Sequence, residues 1–300
     1  MNGIINVLKP TDMTSHDVVS VLRRLLHFKK IGHTGTLDPM AVGVLPICVG
    51  RATKVVEHLT NDQKTYRCEI KFGESTDTQD RWGKVLQSSS LRPTLEEVEA
   101  ILPFFTGEID QVPPMYSALK VDGKKLVDLA REGITIERKA RKQFIHELKI
   151  IRVLPEGLCI DVTCSKGTYV RTICHDIGEK LGCYAHMTNL IRMQSGIFKI
   201  EDALTLEEVN QFVESGRVDE ILQGLDTPFK ELESCYISKF VLDKLLNGIK
   251  IDLSNFLSEK PKEDALIRLY CGKDFIGIGF FNVLLGNLSL EKRLYNGDDI

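Results

Sequence analysis

Gly32-His33-Thr34-Gly35-Thr36-Leu37-Asp38-Pro39, followed by Gly43, Leu45-Pro46 and Gly50, is the stretch of this 300-residue chain on which its reading turns. Glycines permit tight turns and close approach of backbone to a ligand. Proline after Asp38 keeps that residue out of the helical region, which presents the carboxylate from a stiff loop. The spacing matches neither G-x-x-x-x-G-K-[ST] nor G-x-G-x-x-G, so it is not a nucleotide-phosphate loop of either kind. By itself the stretch reads as a glycine-rich turn carrying a surface aspartate.

Working outward, a short apolar strand from Ile4 to Leu8 is stopped by Lys9-Pro10. Ser15 is placed to cap a helix whose Val18, Val21, Leu22, Leu25 and Leu26 form one apolar stripe. A short helix is expected through Val55, Val56 and Leu59. Tyr66, Cys68, Ile70 and Phe72 then alternate with Arg67, Glu69 and Lys71, the period of a half-buried strand. Residues 73–90 read as a polar loop, and Thr94-Leu95-Glu96-Glu97 as a capping box opening a helix to about Leu102. Two strands, Phe144–Val153 and Leu158–Ser165, flank the turn Pro155-Glu156-Gly157, and a helix from Val170 to Leu181 stops at Gly182. An acidic helix over Leu204–Val213 follows. Past a junction near Pro228 come short strands, Ala265–Tyr270 and Phe275–Phe281. No βαβ rhythm runs through these elements. They predict an α/β chain of the α+β type with a mixed, mainly antiparallel sheet, divided into domains at 1–230 and 231–300.

Composition narrows the class. With 43% hydrophobic and 27% charged residues the chain is neither disordered nor a fibrous rod, and its length excludes a disulfide-stapled mini-domain. The formal charge of −3 points away from a polyanion partner, but it is unevenly spread. Residues 1–200 hold 28 Lys and Arg against 23 Asp and Glu, whereas residues 201–300 hold 11 against 19. Between Lys120 and Lys142 alone, eight basic residues face four acidic ones. Such asymmetry marks a candidate polyanion-facing surface. Eight cysteines without a C-x-x-C pair read as buried, reduced thiols of a cytoplasmic protein, and no His/Cys/Asp/Glu cluster suggests a metal. No apolar run reaches the roughly 18–20 residues of a membrane span, and no export signal is expected from Met1-Asn2-Gly3-Ile4-Ile5, which lacks a basic region and a small-residue cleavage site.

The Gly32–Pro39 stretch with Gly43-Val44-Leu45-Pro46 resembles the signature of the TruB family of tRNA pseudouridine synthases. Further blocks follow in that family's order: Lys9-Pro10 with Thr14-Ser15, Lys64-Thr65-Tyr66, and Thr76-Asp77-Thr78 with Asp80 and Gly83. Pro113-Pro114-Met115-Tyr116-Ser117-Ala118-Leu119-Lys120, Ser165-Lys166-Gly167-Thr168-Tyr169-Val170-Arg171, and Leu190-Ile191-Arg192 with Ser195-Gly196 complete the set, over roughly residues 3–200. Asp12 departs from the pattern, which usually has glycine there.

The resemblance implies isomerisation of a uridine, the one numbered 55 in the tRNA T arm, to pseudouridine. It implies the pseudouridine synthase fold and no metal, nucleotide or organic cofactor. Asp38 would be the one essential carboxylate, which suits a reaction in which nothing is hydrolysed. Whether it attacks the sugar, attacks the base or removes a ribose proton stays open. Tyr66 matches the tyrosine that stacks on the target base, Arg171 the arginine paired with the aspartate, and Tyr169 and Leu190 other pocket residues. His33 matches a histidine near the extruded nucleotide, and Lys9, Thr36, Lys54 and Lys166 are candidates for RNA contact. The C-terminal piece, with Phe275-Ile276-Gly277-Ile278-Gly279, is similar to a PUA-type RNA-binding module. The expected partner is the tRNA T stem-loop, met by a monomer that requires no protein partner. The rival reading is a catalytically silent RNA-binding or RNA-folding module on the same scaffold.

Overall fold

The computed structural model describes residues 1–61, 63–252 and 264–295. Strand β1 (Gly3–Lys9) leads to helix α1 (Ser15–Leu25), then to β2 (Ile31–His33) and β3 (Val42–Val49). A 3-10 turn and α2 (Val56–Asn61) precede β4 (Lys64–Phe72). The expected polar loop over 73–90 contains a hairpin, β5 (Glu74–Thr76) and β6 (Val85–Ser88). Helix α3 (Leu95–Ile101) has the expected capping box, Thr94 with Glu97. It is followed by β7 (Gly107–Gln111), the small ladder β8 (Lys120–Val121) with β9 (Lys124–Lys125), and α4 (Leu126–Arg131). Next come the long pair β10 (Arg141–Leu154) and β11 (Gly157–Cys164), then α5 (Val170–Lys180). Strands β12 (Ala185–Ser195) and β13 (Phe198–Lys199) and helix α6 (Leu206–Glu214) close the first region.

The main sheet runs β1-β3-β12-β4-β11-β10-β7, with β2 added on β3 and β13 on β12. Its pairings are antiparallel except where β3 meets β12, which lie parallel and share two residue pairs, Val42 with Ile191 and Gly43 with Arg192. Gly43 is required there: it sits at φ +124°, and a Cβ would lie 2.3 Å from the Arg192 carbonyl oxygen. On the inner side of the sheet, α5 buries Val170, Ile173 and Ile177 against Cys68, Ile70 and Val162, forming the largest core. A second core sets α1 on β1 and β3 through Val18, Val19 and Leu22.

Two details of the N-terminal region differ from expectation. The cap of α1 is Thr14, not Ser15: Thr14 accepts from the Asp17 N–H, and the Asp17 carboxylate accepts from Thr14 N–H. Ser15 turns inward instead, its hydroxyl accepting from Leu37 N (2.9 Å) and donating to Leu37 O (3.3 Å). Asp12, the departure from the family pattern, stands at φ +62°. That is the left-handed region glycine enters freely and aspartate tolerates better than most residues.

Beyond residue 230 a five-stranded sheet runs β14-β16-β17-β18-β15: β14 (Ser234–Tyr236), β15 (Ile251–Asp252), β16 (Ala265–Cys271), β17 (Asp274–Asn282) and β18 (Asn287–Arg293). With α7 (Lys239–Leu246) it encloses its own core, including Leu242, Leu269 and Phe281. Phe229, Ile278 and Leu294 join it to Ile4, Val44 and Cys48 of the main sheet.

Candidate active site

The Asp38 loop leaves β2, is pinned at Leu37 by Ser15, and enters β3 beside β12. It thereby forms one wall of a cleft of about 460 Å³, within the range of small-molecule sites. Strand β4 supplies Tyr66, α5 supplies Arg171 and its cap residue Tyr169, and β12 supplies Leu190 and Arg192. Of the sequence candidates, Thr36, Asp38, Tyr66, Lys166, Tyr169, Arg171 and Leu190 line this cleft together.

Arg171 is the electrostatic centre. Its side chain is 7% exposed and its Nη2 lies 3.3 Å from Asp38 Oδ2. On the other side Nη1 faces Asp80 Oδ2 at 3.6 Å, and Asp80 is 1% exposed. Asp80 is itself fixed by the Thr78 hydroxyl (2.6 Å) and the Trp82 N–H (3.1 Å). Arg171 Nη2 also donates to the Tyr116 carbonyl at 2.8 Å. A guanidinium so tied presents one orientation to Asp38, which is partly open to solvent. The Tyr169 ring lies under the guanidinium, with Arg171 Cζ 5.8 Å from its centroid.

Arg192 crosses from β12 to the Asp38 side. Fully buried, it donates from Nε to Val44 O (2.6 Å) and from Nη2 to Gly35 O (3.1 Å). Burial pushes the Tyr66 hydroxyl up, while the charge of Arg192 and a hydrogen bond from it pull the other way. Gln111, at the end of β7, clamps Tyr169 from behind. Its Oε1 accepts from Tyr169 N (2.8 Å) and its Nε2 donates to Tyr169 O (3.1 Å).

Three candidates fall outside the cleft lining. Lys9 is a correction: it is wholly buried, and its Nζ donates to the carbonyls of Pro10, Met13 and Pro39 at 2.7, 2.5 and 3.0 Å. It holds the base of the Asp38 loop and presents nothing to a phosphate. Burial lowers it to about 8, against the attraction of Asp38. His33 is half-buried at the root of the loop, its Nδ1 accepting from Gly35 N at 3.3 Å. Burial and then Arg192 lower its pKa, in keeping with that acceptor role. Lys54 is exposed near β18, donating to Arg293 O at 3.2 Å.

Sequence reasoning did not single out Asp80, Gln111, Ser117 or Arg192 as site residues. Asp80, Ser117 and Arg192 lay in blocks that carried the resemblance, which was the available signal. Gln111 had none. Among the described residues no group of three or more His, Cys, Asp or Glu is placed to hold a metal ion, and no helix is long and apolar enough to cross a membrane.

Residues 23–170 match the model of the TruB family pseudouridylate synthase N-terminal domain, and residues 171–234 that of the tRNA pseudouridylate synthase B C-terminal domain. The tRNA pseudouridine synthase B of Alkaliphilus oremlandii (strain OhILAs) is 45% identical over 281 residues, 93% of each chain. This chain belongs to the TruB family. A second TruB relative, the tRNA pseudouridine synthase B of Clostridioides difficile (strain 630), is 46% identical over 283 residues, 93% of this chain and 94% of that one. Among solved structures, a chain of a Cbf5-Nop10-Gar1 complex superposes with a TM-score of 0.76 at 24% identity, covering 99% of this chain and 86% of that chain. A chain of an H/ACA RNP bound to a substrate RNA gives 0.75 at 23%. Both likenesses establish that the TruB chain shares their fold.

Proposed function

We propose that this chain isomerises a uridine of tRNA to pseudouridine in the Asp38 cleft. The observation that carries the reading is the Asp38–Arg171 pair, set 3.3 Å apart in a cleft that Tyr66 also lines, in a chain whose TruB relatives are named tRNA pseudouridine synthase B. The reaction breaks the glycosidic bond, turns the uracil and joins its carbon to the ribose. No atom is gained or lost, so it calls for no cosubstrate or cofactor. A positioned carboxylate and an aromatic wall are what the cleft offers such a step. A silent RNA-binding module has no need of a carboxylate held in this way.

The target is the T-arm uridine at position 55. Extruding a paired or stacked base costs a few kcal/mol, and stacking on Tyr66 returns about 1–3 kcal/mol. Thr36 and Lys166, which line the cleft, are read as contacts for the neighbouring RNA backbone. The basic surplus of residues 1–200, which carry the cleft, favours RNA there. We read residues 1–230 as the catalytic domain and 231–300 as a PUA-like domain, a division supported by the separate sheet and core past residue 230. The enzyme is read as a cytoplasmic monomer that acts without a protein partner.

The purified chain with an unmodified tRNA transcript, and nothing else added, is expected to form pseudouridine at position 55. Asp38→Asn is expected to abolish it while RNA affinity stays within about threefold. Carbodiimide primer extension reads the product, and full activity in Asp38→Asn would sink the assignment.

A further inference from the structure

Buried polar atoms are nearly always hydrogen-bonded, so each orphan asks for an explanation. Among the described residues six buried side-chain polar atoms lack a partner, and two of them, Ser117 Oγ and Arg171 Nε, belong to residues lining the Asp38 cleft. Ser117 is 4% exposed. Its main chain is already committed: its N–H donates to Met115 O at 2.9 Å, and its carbonyl accepts from Val127 N at 3.0 Å. The preceding carbonyl, that of Tyr116, accepts from Arg171 at 2.8 Å. The residue is therefore fixed on the cleft wall beside the guanidinium that faces Asp38, with only its hydroxyl uncommitted.

We propose that Ser117 is a specificity-determining residue whose hydroxyl hydrogen-bonds a polar group of the target nucleotide. This rests on the cleft being the uridine site. A hydroxyl can donate to a carbonyl oxygen or accept from an N–H or O–H, so a base edge and a ribose hydroxyl offer the same chemistry. A site built on a waiting polar group discriminates strongly, because a ligand lacking the complement leaves that group buried and unpaired.

The test measures kcat/KM for pseudouridine formation on a tRNA transcript, together with the urea unfolding midpoint of the free protein. Ser117→Ala is expected to lose about tenfold in kcat/KM, the worth of one hydrogen bond. Its midpoint should stay the same or rise, because a buried orphan has been removed. Ser117→Thr, which keeps the hydroxyl, should recover part of the loss. Binding of a transcript with 2′-deoxyuridine at the target then separates the two sources. If the Ser117→Ala defect in affinity vanishes on it, the contact is to the ribose; if the defect persists, it is to the base. Wild-type activity in Ser117→Ala, or a lowered midpoint showing that the hydroxyl serves the fold, would overturn the assignment. Absence of product from the wild-type enzyme would instead overturn the reading of the cleft itself.

Discussion

Arg171 serves two carboxylates at once, and they are not equivalent. Asp80 is buried and fully engaged, whereas Asp38 is a third exposed and faces the cleft. Arg171→Met therefore removes two things. It frees the Asp38 carboxylate from its orientation, for which a fall of about 100-fold or more in turnover is expected, comparable with losing a preorganised transition-state contact. It also strands Asp80, and uncovering one partner of a buried pair costs about 3–5 kcal/mol. RNA affinity should change by less than about threefold. Single-turnover kinetics with filter binding decide this: equal losses of affinity and turnover would place Arg171 on a phosphate instead. Lys9 shows the opposite lesson at the same scale. Its charge looked like a phosphate contact in the sequence, but three carbonyls surround its ammonium.

Helix α5 starts after Tyr169, whose side chain makes no cap hydrogen bond, and Gln111 of β7 supplies the missing register. Gln111→Leu leaves the Tyr169 N–H without its acceptor, for an expected loss of about 1–3 kcal/mol in stability. Because Arg171 is two residues into the helix, turnover should also fall, by about tenfold, with RNA affinity little changed. Urea unfolding and single-turnover assays on the same preparation test both, and unaltered turnover would confine Gln111 to the fold. At this scale the sequence was unevenly legible. The Thr94–Glu97 box, the alternation of β4 and the Gly182 stop of α5 are local signals, and each element formed where its signal stood. Strands β3 and β12 lacked such a signal. Both are central, and β12 buries His186, Arg192 and Ser195 along with its apolar residues, which erases the period of two. Asp38 and Arg171 were legible through resemblance. The contacts that fix them, from Asp80, Gln111 and Tyr116, join residues 55 to 91 positions apart and are written in no local pattern.

Over the whole molecule, all eight cysteines are free and buried. Burial pushes Cys48 up to about 12 and Cys164 to about 11, whereas an unfolded thiol ionises near about 8.5. The folded chain thus keeps protons that the unfolded chain has lost. Stability is full below that value and declines above it, by about 1.4 kcal/mol per pH unit for each such thiol. Lys9, lowered to about 8, works in the reverse sense and offsets about one thiol over the same window. The urea midpoint under reducing conditions should therefore fall between about pH 8.5 and 10. Cys48→Ala should flatten that fall, and an unchanged slope would show that Cys48 titrates normally. The same scale gives meaning to the two-pair parallel contact of β3 with β12, the narrowest join on the path from β1 to β7. Asp38 stands on one side of it; Tyr66, Arg171 and Leu190 stand on the other, and Arg192 reaches across. A chain whose two halves have each zipped their antiparallel pairs, but have not met along that line, owns every residue of the site and none of its geometry. Turnover is thus a reporter of that seam, silent until it shuts.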